Sequence, residues 1–410
     1  MTEKKPVSIE TQDEGEELDG EEPLSPAMVR RLKRACAEEK VARPDPLIDD
    51  PSIDLDMYRR VMRQKIADYA LSRHRIYLDM NYWIWLRDAA FHKPKLPIHT
   101  ELWLQLRGLS KSGRAICPVS YPVFAEIMKQ NIATRRRTAC IIDRLCGGIC
   151  IVDKSSRVRV QLSHFVWTKL LGDQTLKPSD RYIWAPASHF LPMGHIHMLN
   201  WPSELNLRQQ KLWLQFTQYL KFSDVFELIK EVPPAERDNW RNTLLQNFMS
   251  DRTRDQLRSL NATYKIEVGA STDLIAEEIA DFAADLFDKG IRSPLGPEAS
   301  GIDLAASLAS IITTGLTMGR ITTDFPQYHI MGVIHATIRW MRRRYQVNDP
   351  MDHQHATTAL PYCNAFFTER DLRDTLTRGP FHLDRTYGCH VISDPNEAVA
   401  HLEKIAGKTS

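Results

Sequence analysis

Residues 351–372 read MDHQHATTALPYCNAFFTERDL. Asp352 opens a short Ala/Thr-rich helix, residues 365–369 (AFFTE) form an apolar strand, and acids return at Glu369 and Asp371. So compact a helix–strand unit, with carboxylates at both ends, makes two demands on the rest of the chain. A strand without polar alternation needs cover on both faces, as in a parallel sheet. The acids need a partner that justifies gathering them at one end of it.

The surrounding sequence supplies the first. RIYLD (75–79), AICPV (115–119) and ICIVD (149–153) are strand candidates upstream, and CHVIS (389–393) follows the opening stretch. Helical periods separate them: NYWIWLRDAAF, HTELWLQLRGLSKS, YPVFAEIMKQ and TRRRTACIIDRLC. Strand and helix in alternation predict an α/β fold, with a five-stranded parallel sheet between helical layers. Such sheets hold ligands beyond the carboxyl ends of their strands.

Residues 154–347 break the alternation. Stretches such as LRQQKLWLQFTQYLKF, TDLIAEEIADFAADLFDK and HIMGVIHATIRWMRRRY have helical spacing, and no strand is expected there. The chain then divides into an acidic, disordered tail and linker (1–45), an N-terminal helix (46–74) and a first core segment (75–153). A large all-helical insertion (154–347) and a second core segment (348–410) complete it. Within the tail and linker, MVRRLKRACAEEKVA reads as a short helix.

Composition bounds the function class. At 410 residues, 43% of them hydrophobic and 26% charged, the chain is an ordinary globular protein with room for more than one domain. Residues 1–25 hold nine acids and two lysines, a net −7, so residues 26–410 carry +9 against +2 for the whole chain. A basic body suits a polyanionic partner. Seven scattered cysteines, several inside apolar runs, point to free thiols in a reducing compartment, and a cytoplasmic location is expected. The polar, acidic N-terminus is no signal peptide. The most apolar helical run, residues 302–318, contains Asp303, serines and threonines, too polar for a membrane span.

Four acids fall at one end of the expected sheet. Asp79 closes the first strand, Glu126 lies about a turn into the helix after the second, and Asp352 and Asp371 flank the fourth. Singly, each has a plain explanation: Asp is a frequent helix N-cap, worth about 1 kcal/mol. Jointly they would repel unless cations sat among them. Hard oxygen donors of this kind suit Mg²⁺ or Mn²⁺, and the chemistry best served is attack of an activated water on a phosphodiester.

At these residues the chain resembles the PIN-domain nucleases. LDMNYWIW is similar to that family's opening motif, with an Asp ending the first strand and a small polar residue, Asn81, two positions on. MDHQHATTALPYCNAFFTERDL is similar to its closing motif, and the Glu of FAEI takes a matching place. The resemblance covers residues 75–153 and 348–405, and the helical block between them exceeds the family's usual connection. It implies a PIN-like three-layer core and a metal-dependent nuclease that cuts single-stranded RNA and leaves 5′-phosphate ends. Asp79, Glu126, Asp352 and Asp371 would be catalytic metal ligands, with Asn81 and Thr368 steadying them by hydrogen bonds. The family often places its last acid two residues after the Thr, where this chain has Arg370, so Glu369 and Asp374 compete with Asp371. Asp349, in an NDP turn, competes less with Asp352.

Further contacts are weighed beside these. Arg339, Arg342 and Arg343 share a face at helical spacing and would grip phosphates, or else form a solvated helix end. Tyr82 is the aromatic residue expected at the pocket rim, and His353 is expected to meet phosphate while His355 packs inside its helix. The spacing of His189, His195, His197, Cys146 and Cys150 does not meet the zinc pattern of paired pairs. The expected partner is single-stranded RNA. No membrane partner is expected, and assembly as a homo-oligomer stays open. The alternatives are a catalytically silent binding or scaffold module and a DNA-directed nuclease.

Overall fold

In a computed structural model, residues 45–191, 206–229, 247, 258–273, 276–288, 290, 300–378 and 381–407 are described. The acidic tail, the short helix expected at 28–42, and His195 and His197 lie outside these residues.

Leu55–Leu71 forms helix α1, opened by Asp54, whose carboxylate accepts the Met57 N–H at 2.7 Å. Strand β1, His74–Leu78, follows, then helices α2 (Met80–Ala90) and α3 (Pro97–Lys111) and strand β2 (Ala115–Ile116). Helices α4 (Tyr121–Met128) and α5 (Ile132–Leu145) lead to strand β3, Ile149–Ile151. Helix α6 (Lys154–Phe165), strand β4 (Trp184–Pro186) and helices α7 (Leu207–Gln218), α8 (Phe222–Leu228), α9 (Leu260–Asp273), α10 (Ala276–Asp288), α11 (Gly301–Thr317) and α12 (Pro326–Trp340) come next. The chain ends through α13 (Asp349–Ala359), β5 (Ala365–Phe367), α14 (Arg370–Thr377), α15 (Leu383–Tyr387), β6 (His390–Ile392) and α16 (Pro395–Ile405).

Four strands make one parallel sheet in the order β2-β1-β5-β6. Successive strand side chains point to opposite faces, and Ile76, Tyr77, Leu78, Ala365, Phe366 and Phe367 are all fully buried, so both faces are covered. The α/β class read from the sequence is therefore present, within a mostly helical protein.

The five-stranded sheet is not. Strand β3 touches the parallel sheet only through the single bridge Val119–Cys150, and its ladder runs antiparallel with β4. Buried Pro118 stands between β2 and Val119 and has no N–H to donate to a neighbouring strand. Nor is the insertion all helical: β4 lies inside it and covers β3. That strand escapes a periodicity search because WAP is only three residues long and ends in proline. Among the described residues no helix is long and apolar enough to cross a membrane.

The insertion packs within itself and is tied to the core at its end. Helix α12 packs on α9 across Gly332, where a Cβ would stand 2.6 Å from Val268 Cγ2 and 3.3 Å from Tyr264. Gly332→Ala should therefore lower Tm. Overpacking of this kind costs about 1–3 kcal/mol, and thermal unfolding with an unchanged midpoint would show that the two helices separate freely. Beyond α12, Arg343 donates to the Asp349 carboxylate at 2.9 Å, tying the insertion to the first turn of α13.

Candidate metal centre

The register of β1 and β5 builds the site. Leu78 lies opposite Phe367, so Asp79 and Thr368, the next residue on each strand, emerge side by side. Asp79 N–H donates to the Phe367 carbonyl at 3.0 Å, which continues the ladder by one bond. The Asp79 carboxylate is then held on both oxygens. Oδ1 caps α2 by accepting the Met80 N–H at 2.6 Å, and Oδ2 accepts the Thr368 hydroxyl at 2.8 Å. Helix cap and site residue are here the same side chain, 5% exposed.

Helix α4 brings Glu126 to the same place. Its Oε2 lies 3.1 Å from His355 Nε2, which is also 3.7 Å from Asp79 Oδ1. The other ring nitrogen of His355 lies 2.8 Å from the Tyr77 hydroxyl, itself hydrogen bonded to Ser120. Tyr77 and Ser120 thus fix the imidazole plane and leave Nε2 facing the two carboxylates. Burial lowers the His355 pKa, but Asp79, the bond to Glu126 and Asp352 outweigh it, and the net direction is up. Asp79, Glu126 and His355 offer ligand atoms within 4.8 Å of one another and form a group that could hold a metal ion.

Two more acids surround the three. Asp352 precedes His355 by three residues on α13 and shares its face. Burial, then the negative charge of Asp79, with smaller contributions from Glu369 and Asp349, push its carboxyl up to about 7 against the pull of His355. Glu369, the N-cap residue of α14, accepts a short hydrogen bond from Asn81. Burial and Asp79 raise its pKa, the Asn81 bond opposes them, and Asp371 and Glu126 add to the rise. No Lys or Arg among the described residues pairs with Asp79, Glu126, Asp352 or Glu369. Asp79 and Glu126 at one imidazole, with the charges of Asp352 and Glu369 acting on them, leave an excess of negative charge, which fits a divalent cation.

The sequence expectations sort against this geometry. Asp79, Glu126 and Asp352 converge, and Asn81 and Thr368 each bond an acid of the cluster. Asp371 is exposed on the first turn of α14 and reaches the cluster only through its charge on Glu369. Asp374 pairs with Arg378 one turn along the same helix. The acid beside Asp79 is Glu369, because α14 starts immediately after it and rotates Asp371 away. Helix α13 begins at Asp349 rather than Asp352, and Asp349 is a buried partner of Arg343 instead of part of a turn.

Of the five residues expected to contact nucleic acid, two are buried and the three arginines share no face. His353 is 3% exposed and packs against His335, ring centroids 4.9 Å apart, since a two-residue offset from His355 turns it to the opposite helix face. Tyr82 is fully buried against Trp85 and Phe367, away from any rim. Helix α12 ends at Trp340 and Arg342 has a left-handed backbone, so Arg339, Arg342 and Arg343 share no helical face. Arg339 instead pairs with Glu267, and Arg343 with Asp349.

His355 is the functional candidate that sequence reasoning passed over. The signal was available, for D-H-Q-H places position 355, not 353, on the face of Asp352. As for the zinc idea, Cys146 and Cys150 are buried free thiols, and His189 bonds Asp153. No protein-family model, curated protein or solved structure matches this chain.

Proposed function

We propose that the protein is a metal-dependent endonuclease that hydrolyses phosphodiester bonds of single-stranded RNA, as its resemblance to PIN-domain nucleases implies. The observation that carries the reading is the grouping of Asp79, Glu126 and His355, with the charges of Asp352 and Glu369 acting on them and no lysine or arginine among the described residues to balance them. One imidazole among carboxylates favours Mn²⁺ over Mg²⁺, because nitrogen donors suit transition metals better than the harder ion. Asp79, Glu126 and His355 would hold such an ion, which would supply activation of water and offset charge on the leaving oxygen.

The chain's own part is preorganisation. Met80 N–H and the Thr368 hydroxyl hold Asp79, so little reorientation is needed when a ligand binds. Tyr77 and Ser120 hold His355 in the same way. Asp352 and Glu369 supply further acceptors to orient the attacking water. Six described cysteines are free, five of them buried, which agrees with the proposed cytoplasmic setting.

The test is cleavage of a labelled single-stranded RNA by purified protein with Mn²⁺, beside the matching DNA. Glu369→Gln should lower the rate by about tenfold or more, and Asp371→Asn should leave it within about twofold. A shared loss in both variants would restore Asp371 to the site. Absence of cleavage, together with no metal-dependent thermal shift at millimolar Mn²⁺, would instead favour a silent binding module.

A further inference from the structure

A cavity of about 730 Å³ lies apart from the acid cluster, between α1, α6, β4 and α7. None of Asp79, Glu126, His355, Asp352 or Glu369 belongs to its walls. Its volume is within the ~300–1,000 Å³ usual for small-molecule sites. The charge of its lining is unusual: Arg59, Arg60, Arg63 and Arg159 face a single acid, Asp173. That carboxylate is already engaged, accepting the backbone N–H and the hydroxyl of Thr175 at 2.8 and 2.6 Å.

The arginines are incompletely neutralised. Arg59 pairs with Asp56, and Arg159 with Asp285. Arg60 and Arg63 have no acidic partner among the described residues. Arg59 and Arg63 stand four residues apart on α1, where like charges oppose helix formation. Two wall residues, Tyr58 and Trp184, are buried to within 1% of full, yet the tyrosine hydroxyl and the indole N–H have no hydrogen-bond partner among the described residues. Buried polar groups without partners are costly and rare. Trp167 and Tyr182 add aromatic surface to the same walls.

We infer that this cavity is a binding site for a nucleotide, its phosphate held by Arg63 and its neighbours and its base set against the aromatic walls. Guanidinium groups match phosphate oxygens in bidentate geometry, and every base offers a flat face for stacking on an aromatic ring. An inorganic anion would satisfy the arginines and leave the aromatic surface unused. A neutral nucleoside would do the reverse. The site can be occupied by a free nucleotide or by the phosphorylated end of an RNA strand, since both present the same chemistry.

The test is a titration of intrinsic tryptophan fluorescence on the full chain with AMP or UMP, in chelator so that metal and cleavage play no part. Saturable binding is expected, with adenosine and inorganic phosphate each at least about tenfold weaker. Arg63→Met should raise Kd by about tenfold to a hundredfold with unchanged circular dichroism. Trp167→Ala should raise Kd for AMP by about tenfold and leave inorganic phosphate unaffected. A 5′-phosphorylated trinucleotide that displaces AMP would support a strand end as the ligand, and failure to displace it would support the free nucleotide. No binding at millimolar nucleotide, or equal Kd for wild type and Arg63→Met, would overturn the assignment. The failure of cleavage at the acid cluster would not touch it, because the two measurements share no residue and no metal.

Discussion

Asp79→Asn should abolish Mn²⁺-dependent RNA cleavage, by at least about a hundredfold, while the protein stays folded. The amide keeps an oxygen to cap α2 through Met80 N–H and keeps the shape that fits beneath Thr368. What it loses is the charge, and with it the one acid that faces His355, lies beside Asp352 and touches the electrostatics of Glu369. Asp79→Ala is a poorer probe, since it removes the cap as well, at about 1 kcal/mol. The thermal shift produced by Mn²⁺ should vanish with activity, because stabilisation by a ligand requires its site. Cleavage at the wild-type rate in Asp79→Asn would place the nuclease site elsewhere.

Asp352→Asn is expected to act with opposite signs on stability and activity. In the unfolded chain an aspartate ionises near pH 4, whereas in the folded protein burial and the charge of Asp79 push Asp352 up to about 7. A carboxyl whose folded pKa is raised is penalised as pH climbs, because the unfolded state gives up its proton first. With chelator present, the variant should match wild type near pH 4, gain on it between about pH 4 and pH 7, and keep the full advantage above. For a half-buried group, discounted for solvent screening, that advantage is on the order of 1–2 kcal/mol, measured as a rise of several degrees in Tm at pH 8. Activity should fall meanwhile, the usual consequence of relieving a strained site. A variant no more stable than wild type at pH 8 would show that the acids around Asp352 do not repel as their placement requires.

The two tests probe one physical arrangement, the crowding of carboxylates drawn from four separate elements. That crowding was partly legible before any coordinates. Asp79 at the end of RIYLD and Glu126 in FAEI both follow apolar strand candidates, and strands of a parallel sheet end on a common edge. Asp352 could be paired with them because AFFTE reads as a strand running the same way. The fourth acid could not be chosen, because Glu369, Asp371 and Asp374 differ only in where helix α14 begins. One residue of boundary turns a side chain by about 100°, and boundaries are the least determined feature of a sequence.

Periodicity and composition determined the α/β class, the parallel strands β1, β2, β5 and β6, and the acids that close them, for these depend only on local spacing and on burial of apolar runs. Tertiary structure decided the rest. The packing left β3 joined to the parallel sheet by a single bridge and paired with β4, a strand too short to announce itself. Helix phase moved His355 into the acids and His353 out of them. The arginines of α1 and α6 form a cavity wall only after residues a hundred positions apart have packed. Side-chain direction is set by where a neighbouring element happens to lie, and no stretch of sequence contains its own neighbours.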